Sequence, residues 1–424
     1  MHYHNDRSTI KNIGLAWAPV VLFFSLNCQG PPDAEAASAD RDHRVEVKID
    51  KQVISRVVPA GSLVDRAMLG IARHPDGTIF VNTQNGPLYK SNDRGQTWTA
   101  VTVKLPDAPP RQRLHGFHIN PDGRMWLMHQ SSAADTDCYV SHSTDKARTW
   151  KTTPIDFTTL PPGGPQRPYN RCYNDHSSFI ERPDGTMIVK IGARREPSYW
   201  LNPENLDPAT GLVRPDAEIG GCVLLRSSDG GKTWGDATLA HPYMSEVSLA
   251  VDPRDPDHIL AMTRLQRPLL AGEDREATIK KTGCPADMDP RTPAIYKNGM
   301  LLESNDGARS LFREVPGGIT GYYEHRGTIL WTKNDVIVVN HQDRSGRVVV
   351  RISLDGGKKW VDGTNAGTTL MNRSTKFILV PNPPGHSFTS PSVELSPNHF
   401  LTVFTHGNLS KKIVIVSGVF WHLE

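Results

Sequence analysis

The stretch Ser227-Ser228-Asp229-Gly230-Gly231-Lys232-Thr233-Trp234 decides the fold, because the chain keeps returning to its pattern, Ser-x-Asp-x-Gly-x-Thr-Trp. Ser91 to Trp98 (SNDRGQTW) matches in full. Ser353 to Trp360 (SLDGGKKW) departs only at Lys359, where the pattern has Thr, and Ser143 to Trp150 (STDKARTW) only at Ala147, where it has Gly. Ser304 to Leu311 (SNDGARSL) keeps the Ser-x-Asp start and a displaced Gly. These residue types describe a tight hairpin turn. The Asp carboxylate accepts hydrogen bonds from nearby backbone N–H groups, and Gly takes the φ > 0 position. Thr and Trp then begin the next strand, with the indole packed under the loop. One copy carries little information; four or five define a repeat.

A second repeat lies upstream of each turn: a strand, a Pro-Asp-Gly-like turn, and another strand. It occurs at Leu69 to Asn82, Phe117 to His129, Ser178 to Ile191, Val247 to Arg264, Thr328 to Asn340 and Val393 to Phe404. The last copy runs into the final strands, Lys412 to Leu423, without an Asp turn. Six units of two strands, a loop and a hairpin predict an all-β chain, a six-bladed β-propeller of four-stranded antiparallel blades. The early alternating stretch Arg44 to Asp50 is placed to close the ring beside the last blade. Pro- and Gly-rich insertions at Asp156 to Arg171, Arg194 to Gly220 and Gln266 to Met300 shape one rim. A Rossmann or barrel fold needs helices between strands, and no helical pattern stands out.

Bulk properties agree. The chain has 424 residues, 37% of them apolar, with 35 Gly and 33 Pro, as expected for many short strands and turns. A net charge of +3 from scattered basic residues gives no nucleic-acid footprint. The apolar run Ile13 to Leu26 follows Arg7 and Lys11, is too short to span a membrane, and fits a signal-peptide core. Ala34-Glu35-Ala36 has the small-x-small form of a cleavage site, and Cys28 sits in a poor version of a lipoprotein box. Residues 1–36 are therefore read as signal peptide and flexible leader, residues 44–424 as the propeller, and the protein as exported with no integral membrane span. Cys138, Cys172, Cys222 and Cys284 allow up to two disulfides, and their spacing does not match a zinc site. Gly231-Lys232-Thr233 mimics the end of a phosphate loop, but Arg226 occupies the place of its first Gly.

Ser-x-Asp turns on a six-bladed propeller resemble the sialidase (neuraminidase) superfamily, where they are called Asp boxes or BNR repeats. The resemblance covers the chain from about Arg44 onward. It implies a site in which three Arg hold a sugar carboxylate, a Tyr backed by a Glu attacks the anomeric carbon, and an Asp serves as acid/base. Arg suits the first role through fixed charge and bidentate pairing, and a neutral Tyr avoids repulsion from the substrate carboxylate. Carried onto this sequence, the resemblance assigns carboxylate binding to Arg66, Arg264 and Arg344, and the Tyr-backing position to Glu246. The sequence departs from the pattern twice. Val81 to Leu88 (VNTQNGPL) has no carboxylate for the acid, and Phe388 to Ser392 (FTSPS) lacks the Tyr, leaving Tyr322 and Tyr323 as replacements.

Similar positions carry histidines: His115, His129, His176, His325, His341 and His406. Together with Arg, a His base suits proton abstraction from a uronic acid. His115, His129, Tyr173 and Arg194 or Arg195 loosely resemble the arrangement in propeller polysaccharide lyases such as ulvan lyases. His115 and His176 thus join the candidate catalytic residues. The leading expectation is an exported glycoside hydrolase of exo-sialidase type, acting on a sialic-acid-type or other acidic glycan without cofactor or metal. The alternatives are a lyase acting on uronic-acid glycans and a non-catalytic propeller that binds glycans or a protein.

Overall fold

A computed structural model describes residues 45–51, 69–83, 87–105, 112–131, 137–156, 171–172, 179–194, 202–217, 220–244, 246–324, 327–364, 366–381, 390–408 and 413–424. The leader, Arg66 and His176 lie outside them. The described strands form six antiparallel sheets arranged as the blades of a propeller, as the repeats predict. Blade 1 shows the plan, with Leu69–Arg73 innermost, then Ile79–Thr83, Leu88–Ser91 and Thr99–Val101 outermost. In blade 3 two segments, Arg171–Cys172 and Phe179–Glu181, both pair with Met187–Arg194. Val47–Lys51 pairs antiparallel with Ile413–Leu423, so the last blade takes its outer strand from the start of the propeller.

The middle strands of each blade are largely buried because both of their faces are covered. Ile79–Thr83 and Val348–Ser353 are buried along their whole length. Alternation of side chains sends successive residues to opposite neighbours. Ile79 and Val81 join Leu401 and Val403 of blade 6, whereas Phe80 between them joins Leu114 and Leu127 of blade 2. Each of the six junctions between blades holds one such cluster.

The five Ser-x-Asp turns have a common geometry. In the first, Asp93 Oδ1 accepts from the N–H groups of Gln96 (3.0 Å) and Thr97 (2.8 Å), and its Oδ2 accepts from Thr97 Oγ1 (2.5 Å). Ser91 Oγ donates to the carboxylate and accepts from Gly95 N–H (2.7 Å). Asp145, Asp229, Asp306 and Asp355 repeat the Ser-to-Asp bond. The fourth and fifth residues of every turn have φ > 0, including Ala147 (66°) and Ala308 (62°) where Gly is missing. The local side-chain bonds therefore hold a left-handed pair of residues without requiring Gly. The indole reading also holds, since Trp98 Nε1 donates to Gly95 O (3.0 Å) and Trp150 and Trp360 are buried.

These turns also join the blades. Gly231 faces Trp126 of blade 2, Gly95 faces Leu401 and Phe420 of blade 6, and Thr153 Oγ1 of blade 2 donates to Gly231 O (2.8 Å). Arg226 donates to Ala308 O across the next junction.

The insertion at residues 266–300 differs from expectation by containing a helix, Arg275–Thr282. Asp274 caps it by accepting from the N–H groups of Glu276 and Ala277, and Gly283 ends it at φ 70°. Its lack of an apolar stripe hides it from a periodicity reading. Among the described residues no helix is long and apolar enough to cross a membrane. Cys138 is disulfide-bonded, whereas Cys222 and Cys284 are buried free thiols, so neither of these two takes part in a bridge.

A Cβ at Gly231 would stand 2.5 Å from the Trp126 ring, at a φ of +86°. Gly231→Ala should therefore destabilise the protein by about 2 kcal/mol, from left-handed strain plus overpacking. Thermal unfolding followed by circular dichroism measures this, and an unchanged midpoint would contradict the junction role.

Candidate active site

Glu246 and Arg264 come together through strand register. Val247 pairs with Thr263, and Arg264 N–H donates to Glu246 O (2.9 Å), continuing the ladder one residue past the inner strand Val247–Val251. The two side chains are thus directly cross-strand, and Arg264 Nη1 forms an ion pair with Glu246 Oε1. The Glu246 side chain is 4% exposed and that of Arg264 17%, so the carboxylate is largely out of water and the guanidinium opens toward the rim. A buried carboxylate of this kind depends on its partner.

Arg344 occupies the turn of blade 5 between Ile337–Gln342 and Val348–Ser353, and is exposed. Asp343 fixes that turn by accepting from Ser345 N–H and Arg347 N–H, each at 3.0 Å, and by pairing with Arg347. Arg344 is left pointing into solvent, with its positive field reaching Tyr322.

The two tyrosines face different surroundings. Tyr322 packs in the cluster between blades 3 and 4, and its hydroxyl donates to Ala294 O (2.7 Å). Burial pushes its phenol up to about 12, with Tyr323 adding to the shift and Arg344 opposing it. A phenol so placed is a poor nucleophile at neutral pH. Tyr323 is 39% exposed at φ 66°, and its hydroxyl accepts from Lys297 Nζ (3.2 Å). Of this pair, Tyr323 is therefore the more accessible.

Below this turn lies a network without a clear sequence signature. Glu324 is buried, bonded to Arg351 Nη2 (2.8 Å) and Lys376 Nζ (2.7 Å). Arg351 Nε donates to His341 Nε2 (3.1 Å), while His341 Nδ1 donates to Gln342 O (3.1 Å). Burial drives His341 down to about 4, so it is neutral near pH 7. Burial would raise the Glu324 carboxyl, but the positive charges around it bring it to about 2. That charge comes first from His341, which is protonated where Glu324 titrates, and then from Arg351 and Lys376.

The remaining histidines are scattered. His115 is buried in Gln112–Ile119, and its carbonyl accepts from Asn82 Nδ2 (3.0 Å) of blade 1. His129 bonds Ser141 Oγ (2.8 Å), stacks on Tyr139 at 5.4 Å, and is driven down to about 3 by burial, which makes it a weak base. His325, Tyr173 and Arg195 lie outside the described residues, as do the side chains of Arg194 and His406. Among the described residues no group of three or more His, Cys, Asp or Glu is placed to hold a metal.

No family model matches the chain, and no curated protein matches its sequence. Solved structures do match its fold. An α-L-arabinofuranosidase from Fusarium graminearum aligns with a TM-score of 0.58 at 16% identity, over 88% of this chain and 98% of that one. The Penicillium chrysogenum α-L-arabinanase aligns at 0.54 and 15%, over 88% and 98%. The Trypanosoma rangeli sialidase aligns at 0.52 and 11%, over 88% of this chain and 58% of that one. The chain thus has the six-bladed propeller fold that these glycoside hydrolases share, sialidase among them.

The buried network sets an acid limit on stability. Glu324 has a folded value below its unfolded one, so its contribution is present above about 4.5 and is lost as pH falls toward 2. His341 must also take up a proton on unfolding below about 6.5, in the same direction. The melting temperature should fall from pH 6 to pH 3. Glu324→Gln should lower it at pH 7 and by much less at pH 3, so that the two curves converge. Parallel curves would remove Glu324 from the acid limit.

Proposed function

We propose that the protein is an exported glycoside hydrolase acting on a carboxylated, sialic-acid-type sugar, bound at the rim where blades 4 and 5 carry Glu246, Arg264 and Arg344. The observation that supports this most is the cross-strand Glu246–Arg264 pair, with Arg344 two residues past the end of the matching strand of the next blade. A substrate carboxylate would share Arg264 with Glu246 and take a second contact from Arg344, with Arg66 as a third candidate. Glu246 would then be the base or Tyr-activating group, and Tyr323 the accessible phenol. The apolar run at Ile13 to Leu26 supports export.

A second reading has one observation in its favour. Glu246 already neutralises Arg264, which suits a neutral sugar better than an anionic one. The arabinofuranosidase and arabinanase, whose folds align over nearly their full lengths, make arabinosides the natural comparison.

A screen of fluorogenic glycosides with the mature protein separates the two. Hydrolysis of the sialoside is the expected result, and hydrolysis of the arabinofuranoside alone would favour the neutral-sugar reading. Turnover of neither would leave a non-catalytic propeller. For the active substrate, Arg264→Ala should lower kcat/KM by at least about a hundredfold, the loss expected for charged hydrogen bonds to the substrate. Unchanged kcat/KM would remove this pair from the site.

A further inference from the structure

The axial channel holds chemistry that the rim site does not use. A cavity of about 760 Å³ runs between the inner strands and reaches Arg73, Asn120, Glu181, Lys333 and Glu394 at or near their C-terminal ends. Glu246 and Arg264 do not line it. Glu246 lies at the start of the inner strand of blade 4, and Val251 at the end of that strand lines the cavity. Five residues of extended chain separate the two by roughly 15 Å. The cavity also reaches the starts of the inner strands, at Ser248 and Thr328, and its other end lies on the side of the Ser-x-Asp turns, which touch the same inner hairpins, as Gly307 N–H does in donating to Asp257 O (2.9 Å).

We infer that this cavity is a binding site for a neutral saccharide, separate from the rim site. Its volume is within the range of small-ligand pockets. Its charges balance: Arg73 and Lys333 on blades 1 and 5 act on Glu394 of blade 6 between them, and Glu181 lies across the ring on blade 3. An ion would find no net attraction there. Burial raises both carboxyls, as expected in surroundings poor in water.

The unpartnered atoms point to the kind of ligand. Asn120 is only 4% exposed; its Nδ2 donates to Glu181 Oε1 (2.7 Å), while its Oδ1 has no partner. His118 Nε2 is likewise buried without a partner, and burial drives this ring down to about 4, so it is neutral. Both residues line the cavity. A buried polar atom without a partner is costly and uncommon in a native fold. Sugar hydroxyls both donate and accept, so one ligand would satisfy Asn120 Oδ1 and His118 Nε2 and also meet the carboxylates and cations. Phe117 and Trp331 add apolar wall for its C–H faces.

Isothermal titration with lactose and arabinobiose, and with sialyllactose as the charged comparison, tests this on the mature protein. A neutral disaccharide should bind saturably. Asn120→Leu and Glu394→Gln should each weaken binding about tenfold, the effect of one good hydrogen bond. Glu246→Gln should leave binding unchanged, so failure of the rim site as an enzyme is read separately, from turnover. Glu394 is partly exposed, so Glu394→Gln decides the matter even where Asn120→Leu fails to fold. Absence of saturable binding, a preference for the charged glycan that persists in Arg264→Ala, or loss of binding only in Glu246→Gln would overturn the proposal.

Discussion

Burial between neighbouring blades is the constraint on which the rest of this structure depends. No single blade has a core of its own; a four-stranded sheet gains one only when another sheet covers each face. The side-chain period of two supplies both contacts from one strand, as with Ile79 and Val81 on one side and Phe80 on the other. Such a ring must close, and antiparallel pairing of Val47–Lys51 with Ile413–Leu423 closes it, with the apolar cluster between blades 5 and 6 behind that joint. The same requirement explains why polar groups inside the ring, such as Glu324 and Arg351, appear as paired sets.

The Ser-x-Asp turns serve this closure and not the chemistry. Their carboxylates are used up on local backbone and hydroxyl groups, which leaves them no free valence for a substrate. What they provide is a rigid left-handed corner that seats against the neighbouring blade, at Trp126 for Gly231 and at Leu401 for Gly95. Ala147 and Ala308 show that the hydrogen bonds, more than glycine's freedom, set that conformation.

The two ends of the propeller consequently differ. On the side of the Ser-x-Asp turns the inner hairpins are short, and they surround a cavity with balanced charge. At the other end, Glu246 lies just before its inner strand, Arg264 near the end of the paired strand Ile259–Leu265, and Arg344 in a turn beyond the ladder. Strand register brings Glu246 and Arg264 into contact, while the tight Asp343 turn turns Arg344 outward.

The sequence by itself determined the number of blades, their phase and the closing strand, because each rests on local turn chemistry and a period of two, repeated often enough to average out exceptions. It also made Glu246, Arg264 and Arg344 comparable positions, since each is counted from a repeat. It did not reveal the helix at Arg275–Thr282, which lacks an apolar stripe, or the Glu324–Arg351–His341 network, whose members are separated along the chain and joined only across strands. Only the tertiary structure decided that Tyr322 is engaged with Ala294 while Tyr323 is exposed, and that Arg264 already holds Glu246. Side-chain direction at a turn, and which charges share a low-dielectric space, follow from packing between segments distant in sequence, and no local pattern encodes them.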